Sequence, residues 1–266
     1  MNATERMIRI YDRTMVGRNQ RRYYEDSGFY NFGYWDAQTR SQREASETLV
    51  DQLIARIPRK EGRILDVACG VGGSTRHLMR SYAPEMITAV NISEAQIAVA
   101  RARAPGCTFR CMDATRLDFP AAQFDAVMCV EAAFHFETRD AFLREAFRVL
   151  KPGGTLVLSD MIFRRFVEPF APQFQIPRAN LVRDIATYVE RLEAAGLVNS
   201  DVKDATRACM GGFRRYLGRW PAAERRGGRM SWGTSLGASL VCGAIAAYFG
   251  AATKFYLLVS AQKPAS

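Results

Sequence analysis

Histidine is scarce in this chain: His77 and His135 are the two among 266 residues, so few side chains titrate near neutral pH. Cysteines stand at 69, 107, 111, 129, 209 and 242, but no pair of CxxC motifs is present, which argues for reduced thiols and against a zinc site. No metal is expected. The N-terminal run MNATERMIRIYDRTMVG lacks the continuous apolar stretch of a secretory signal, so a cytoplasmic location is expected. Charge is missing altogether from Ser231 to Thr253, a length that would span a bilayer. Its Gly, Ser, Thr and Ala content makes it only mildly hydrophobic, and the expectation is a buried helix leading into a final strand rather than stable membrane insertion. Internal repeats and low-complexity segments are also absent.

What is present suits a folded domain: 48% hydrophobic and 24% charged residues, with a net charge of +10. Residues 1–36 are rich in arginine and aromatics and read as a helical cap with an aromatic hairpin or loop. From Ser41 the run SQREASETLVDQLIARI sets Leu49, Leu53 and Ile57 on one helical face, completing a cap over 1–57. Beyond PRKEG at 58–62, short apolar runs alternate with helices through 58–266. Strands are expected at RILDVACG, ITAVNIS, CTFRCMDAT, FDAVMCV, Thr155–Asp160, LVNSDVKDAT and KFYLLVSAQ. Parallel strands need crossover connections, so the fold class is α/β: a Rossmann-like, doubly wound, mostly parallel seven-stranded sheet. Residues 161–180, rich in proline and phenylalanine, read as a lid over a pocket, and 207–252 as a helical insert before the last strand.

The strongest constellation is LDVACGVGG at 65–73, a buried strand ending in a turn that opens a helix. Gly70 and Gly72 would let backbone approach a ligand, and the helix N-terminus offers N–H groups. The dinucleotide fingerprint fails, because Thr75 holds the place of its last glycine and Asn91 that of the acid closing the second strand. Together with VNISEAQ at 90–96, CMDATRLDFPAAQFDAV at 111–127 and FRVLKPGGTLVLSD at 147–160, the glycine loop resembles the class I S-adenosylmethionine-dependent methyltransferases in order and spacing over roughly a hundred residues. The resemblance implies S-adenosylmethionine as cofactor. It implies that Asp66 positions the glycine loop and meets the methionine ammonium, and that Gly70 and Gly72 lie against the methionyl and ribose portion. Asn91 and Gln96, with Ile92 between them, would face the ribose, while Asp113 and Ala114 flank the adenine. Asn91 replaces an acid common in the family, and its pairing with Gln96 resembles the branch containing sterol, tocopherol, cyclopropane-lipid and natural-product tailoring enzymes.

His135, just past the fourth strand, is the candidate base for taking a proton from a hydroxyl, with Glu131 to orient it or contact ligand; His77 reads as structural. Tyr30, Trp35, Phe134 and Phe163 are the candidate substrate walls, and Arg164 and Arg165 the candidate anion holders beside the lid. Other basic clusters, including Arg214-Arg215 and Arg225-Arg226, read as a solvated face rather than a nucleic-acid site. The expectation is O-methylation of an apolar small molecule in specialised metabolism. Carbon methylation of an alkene such as a prenyl diphosphate is the alternative, which would make the substrate anionic. RNA methylation and a non-catalytic binding module stand behind these, and a homodimer is left open.

Overall fold

A computed structural model of the chain describes residues 3–15 and 18–265; residues 1, 2, 16, 17 and 266 of the expected cap and domain lie outside them. Among the described residues the seven strands are β1 (Ile64–Val67), β2 (Ile87–Asn91), β3 (Thr108–Cys111), β4 (Phe124–Val130), β5 (Leu150–Phe163), β6 (Val198–Asp204) and β7 (Thr253–Gln262). They form one sheet in the order β3-β2-β1-β4-β5-β7-β6, parallel except for β7, which runs antiparallel to both neighbours.

Alternation along the central strands divides the core. Ile64, Ala126, Met128 and Val157 pack on one face with Leu49 and Leu53. Leu65, Val67, Val127 and Leu158 pack on the other with Phe142 and Leu143. Burial on both faces is why the strands read as unbroken apolar runs.

The N-terminal region contributes α1 (Ala3–Met15), α2 (Arg18–Tyr23) and α3 (Gln42–Ile54); the aromatic stretch between α2 and α3 is a loop, with no strand among its residues. The crossovers are α4 (Gly73–Leu78), α5 (Glu94–Arg103), α6 (Arg139–Val149) and α7 (Ile185–Ala194). Side chains start three of them: Ser93, Thr138 and Asp184 each accept a backbone N–H from the first turn of the following helix. The expected lid is a 3-10 segment, Arg165–Phe174. The helical insert is α8 (Gly212–Arg226) and α9 (Trp232–Ala252), preceded by one π-turn at Arg207–Gly211.

Two expectations change. β5 begins at Leu150 and runs through the KPGG turn, because its early residues continue pairing with β4 across a bulge. The uncharged helix α9 does lead into β7, but it is not buried: Ser235, Cys242, Ala246 and Ala252 face the fold, while most of the helix meets solvent.

Candidate active site

The strand order reverses between β1 and β4, and in open α/β sheets the crevice beyond such a reversal is where ligands sit. A cavity of about 860 Å³ opens there. Its floor is the carboxyl ends of β1, β2 and β4. Its other walls come from α1, the 28–32 loop, residues 174–176 and the end of α9.

β1 turns sharply at its end: Ala68 takes a left-handed φ of 59° and Gly70 one of 55°. For alanine this backbone is strained, and such strain gathers at ligand sites. Gly70 lines the cavity, whereas Gly72 does not. At φ 87°, Gly72 faces α5, where an added Cβ would stand 3.0 Å from the Ala100 Cα. Its hydrogen side chain therefore lets α5 pack closely against the loop. Gly73 does a related job, since a Cβ there would meet the Gly28 carbonyl oxygen at 2.5 Å.

Asp66 lies beneath the cavity wall, fully buried. Its Oδ2 accepts from the Ser74 and Thr75 hydroxyls at 2.8 and 2.7 Å, while Oδ1 has no partner among the described residues. Burial outweighs those two bonds and lifts its pKa to about 6. Asn91 donates to the Gln96 side-chain oxygen at 2.8 Å, and Gln96 Nε2 donates to Asp12 at 2.7 Å. Asp12 also accepts from Ser93 Oγ at 2.8 Å. Asp113 receives both the Thr115 N–H and hydroxyl on Oδ1, and Ile92, Met112 and Ala114 supply apolar wall beside it. Along one rim these residues offer polar groups, then an apolar slot ending in a carboxylate. An orphaned carboxylate oxygen lies below the glycine loop. That set fits the ribose, adenine and ammonium of S-adenosylmethionine.

Across the cavity, His135 is half-buried and held at both ring nitrogens. Nδ1 sits 2.9 Å from the Gln175 carbonyl oxygen, which can only accept, so Nδ1 carries the proton. Nε2 therefore accepts from the Tyr11 hydroxyl at 2.6 Å. Burial lowers the His135 pKa to about 4, and burial with the nearby Glu131 charge pushes the Tyr11 phenol up.

Glu131, at the end of β4, has a left-handed φ of 49°. Its Oε1 accepts from the Phe32 N–H at 2.8 Å and from the Tyr256 hydroxyl, so it ties the 28–32 loop to β7. Burial raises its pKa to about 8. At pH 7 the wall around His135 and Glu131 is thus largely uncharged.

The turn that carries His135 is fixed from behind. Asn180 Nδ2 donates to the Phe134 and Phe136 carbonyls, and its Oδ1 accepts from the Arg139 N–H. The Arg139 guanidinium is fully buried, bonding Asp160 at 2.6 and 3.1 Å and the Met161 carbonyl at 2.7 Å. Tyr188 also donates to Asp160.

The cavity brings together Gly70, Asn91, Ile92, Gln96, Asp113 and Ala114 on one side. Tyr30, Glu131, Phe134, His135 and Phe163 meet on the other. Three expected substrate residues lie elsewhere. Trp35 buries its ring against Gly212 and Tyr216 and donates its indole N–H to the Phe32 carbonyl, bracing the loop from outside. Arg164 and Arg165 are exposed and do not line the cavity: they stand past Phe163, the last β5 residue on its wall, and the Arg164 N–H is tied to the Ala252 carbonyl. Arg116 does line it and pairs with Glu137 at 3.3 Å. His77 bonds Asp51 at 2.6 Å, joining α4 to α3. Tyr11, which lines the cavity, and Asp12, which holds Ser93 and Gln96 from α1, were not foreseen. No motif marks them, since their partners lie 81 to 124 residues away in sequence.

Comparison with known proteins agrees with this geometry. Residues 65–158 match the family model described as "Methyltransferase domain". The chain is 33% identical over 198 residues to the erythromycin 3''-O-methyltransferase of Saccharopolyspora erythraea, covering 67% of this chain and 64% of that one. It is 30% identical over 194 residues to methyltransferase GfsG of Streptomyces halstedii, covering 66% and 69%. The match thus spans about two thirds of these relatives' lengths. In fold it resembles the crystal structure of the [4+2]-cyclase SpnF, with a TM-score of 0.70 and 24% identity over 96% of this chain and 95% of that one. With the glycine loop, the strand order and the cofactor-shaped rim in place, the chain belongs to the class I S-adenosylmethionine-dependent methyltransferases.

Proposed function

We propose that the protein transfers a methyl group from S-adenosylmethionine to a hydroxyl of an apolar small molecule, with His135 as the base acting through Tyr11. The observation that carries this reading is the chain Tyr11–His135–Gln175 on the wall of the cavity whose opposite rim suits the cofactor. When bound, the cofactor supplies an electrophilic methyl on a sulfonium. As the acceptor oxygen gains its methyl, its proton becomes strongly acidic. Tyr11 Oη accepts that proton while its own passes to His135 Nε2, and Gln175 holds the resulting imidazolium at Nδ1. A base with a pKa near 4 suffices for a proton so acidic, and it stays unprotonated at working pH.

The aromatic wall of Tyr30, Phe134 and Phe163, with neutral His135 and Glu131, suits an apolar acceptor. The name of the erythromycin relative, an O-methyltransferase, supports oxygen as the acceptor atom and specialised metabolism as the setting. With Arg164 and Arg165 outside the cavity, a prenyl diphosphate would meet Arg116, which is already paired with Glu137, rather than the paired arginines that the carbon-methylation alternative relies on.

Methyl-labelled S-adenosylmethionine supplied with the protein to fractionated cell extract tests the reading. Label in a small organic-soluble product carrying a new O-methyl group is expected. Label confined to RNA or protein, or on carbon, would overturn it.

A further inference from the structure

α9 carries no charge from Trp232 to Ala252, and it packs along one line of its surface only. Leu240 is 71% exposed, Trp232 68%, Val241 58% and Leu236 52%. A patch of this kind on a helix apolar all round calls for something to cover it.

The neighbouring helix says what. α8 presents Arg214, Arg215, Arg219, Arg225 and Arg226 to solvent. Among the described residues none of these five is in an ion pair, whereas Glu224, the acid of α8, is already shared by Arg22 and Arg229. A groove of about 420 Å³ runs between the helices, with Arg214 and Arg215 on one side and Gly243, Ala246 and Ala247 on the other. Arg214 lies across α9 because residue 250 is glycine; a Cβ there would stand 2.5 Å from the guanidinium carbon. The apolar stripe is therefore bordered by cations beside a groove of small residues.

A second copy related by a twofold axis would set these arginines against each other. A nucleic acid would meet the arginines and leave Leu236, Leu240 and Val241 wet. An anionic bilayer surface satisfies both features, with apolar side chains in the acyl boundary and guanidinium groups on lipid phosphate.

We propose that the exposed face of α9, flanked by the arginines of α8, docks the protein onto anionic lipid membranes. The helix is long enough to cross a bilayer, but it lies on the fold instead: Cys242 and Ala246 pack in the core, and Ser235 donates to the Pro221 carbonyl. Its far end reaches the active-site cavity. Tyr248 and Phe249 line that cavity, and Tyr248 stacks at 4.9 Å on Phe174, the last residue of a segment whose Phe166 and Phe170 are also exposed. An apolar acceptor dissolved in the membrane would thus meet the cavity mouth directly. That use of the surface rests on the methyl-transfer reading; the docking itself does not.

The test uses the full chain without cofactor or acceptor. It is sedimented with vesicles of equal phosphatidylcholine and phosphatidylglycerol, and with phosphatidylcholine vesicles alone. Binding is expected to the anionic vesicles, weakened about tenfold or more at roughly 0.5 M salt and in the doubly substituted Leu236→Glu, Leu240→Glu protein. Both positions are exposed, so the variant's melting temperature should match the parent's. Arg214→Ala with Arg215→Ala should weaken binding less severely. Failure to bind anionic vesicles, equal binding by the glutamate variant, or a dimer by light scattering that this variant dissolves while vesicles stay unbound would each overturn the proposal.

Discussion

In the cofactor half of the cavity, the floor residues sit within a few residues of a strand end, and all fall between Asp66 and Ala114. The acceptor half is gathered from α1, the 28–32 loop, the turn after β4, residues 174–176 and the end of α9. The first half is built mainly from local turns at the strand ends, with Asp12 of α1 reaching Ser93 and Gln96 from a distance. The second is built from contacts across the chain: Glu131 to Phe32, His135 to Tyr11, Asn180 to Phe134. The cofactor half should therefore tolerate changes in the acceptor half, and substitutions can break that separation or sharpen it.

The largest effect is expected where the acceptor half is riveted to the sheet. Arg139→Met leaves Asp160 buried without its cation, which should cost about 3–5 kcal/mol in a urea unfolding curve. A cost near zero would mean that the His135 turn is held by something else.

Next comes chemistry. Tyr11→Phe and His135→Ala should each lower turnover about 10²-fold or more, and the double variant should lose little beyond either single one, since the two residues pass one proton. Independent, additive losses would separate them into different roles.

The pH dependence of stability is smaller. Glu131 releases its proton near pH 4.5 when unfolded and near pH 8 when folded, so stability falls as pH rises through that window. His135 acts oppositely, with stability rising between about pH 4 and 6.5 and level above. Asp66 acts in the same direction as Glu131 but has largely titrated in the folded state by about pH 7. Between pH 6.5 and 8 Glu131 therefore dominates within this site, a span worth at most about 2 kcal/mol. Glu131→Gln should flatten the melting-temperature profile there; an unchanged slope would assign it to another group.

How legible the two halves were in sequence follows the same division. The seven strands, the crossover helices and the cofactor rim could be read because buried parallel strands leave apolar runs, and glycine and cap residues punctuate them. The packing of Gly72 on α5 gave no signal, since a left-handed glycine serves a ligand and a packed helix equally well in sequence. Trp35 looked like a cavity wall because aromatic residues near a glycine loop carry no mark of which way the loop folds. Tyr11 and Asp12 gave no signal, as hydrogen bonds between distant segments leave no period. The absence of charge in α9 was visible, but whether it meant burial or a covered face depended on Arg214 and its neighbours lying alongside.

The smallest expected effect gives the most direct measurement. Calorimetric titration of S-adenosylmethionine into the parent protein, Asn91→Ala and His135→Ala needs no knowledge of the acceptor. Loss of the Asn91 amide should weaken binding about tenfold, the worth of one buried hydrogen bond, while His135→Ala should bind within about twofold of the parent. Equal losses in both variants, or no binding by the parent, would contradict a cavity whose cofactor and acceptor halves are separately built.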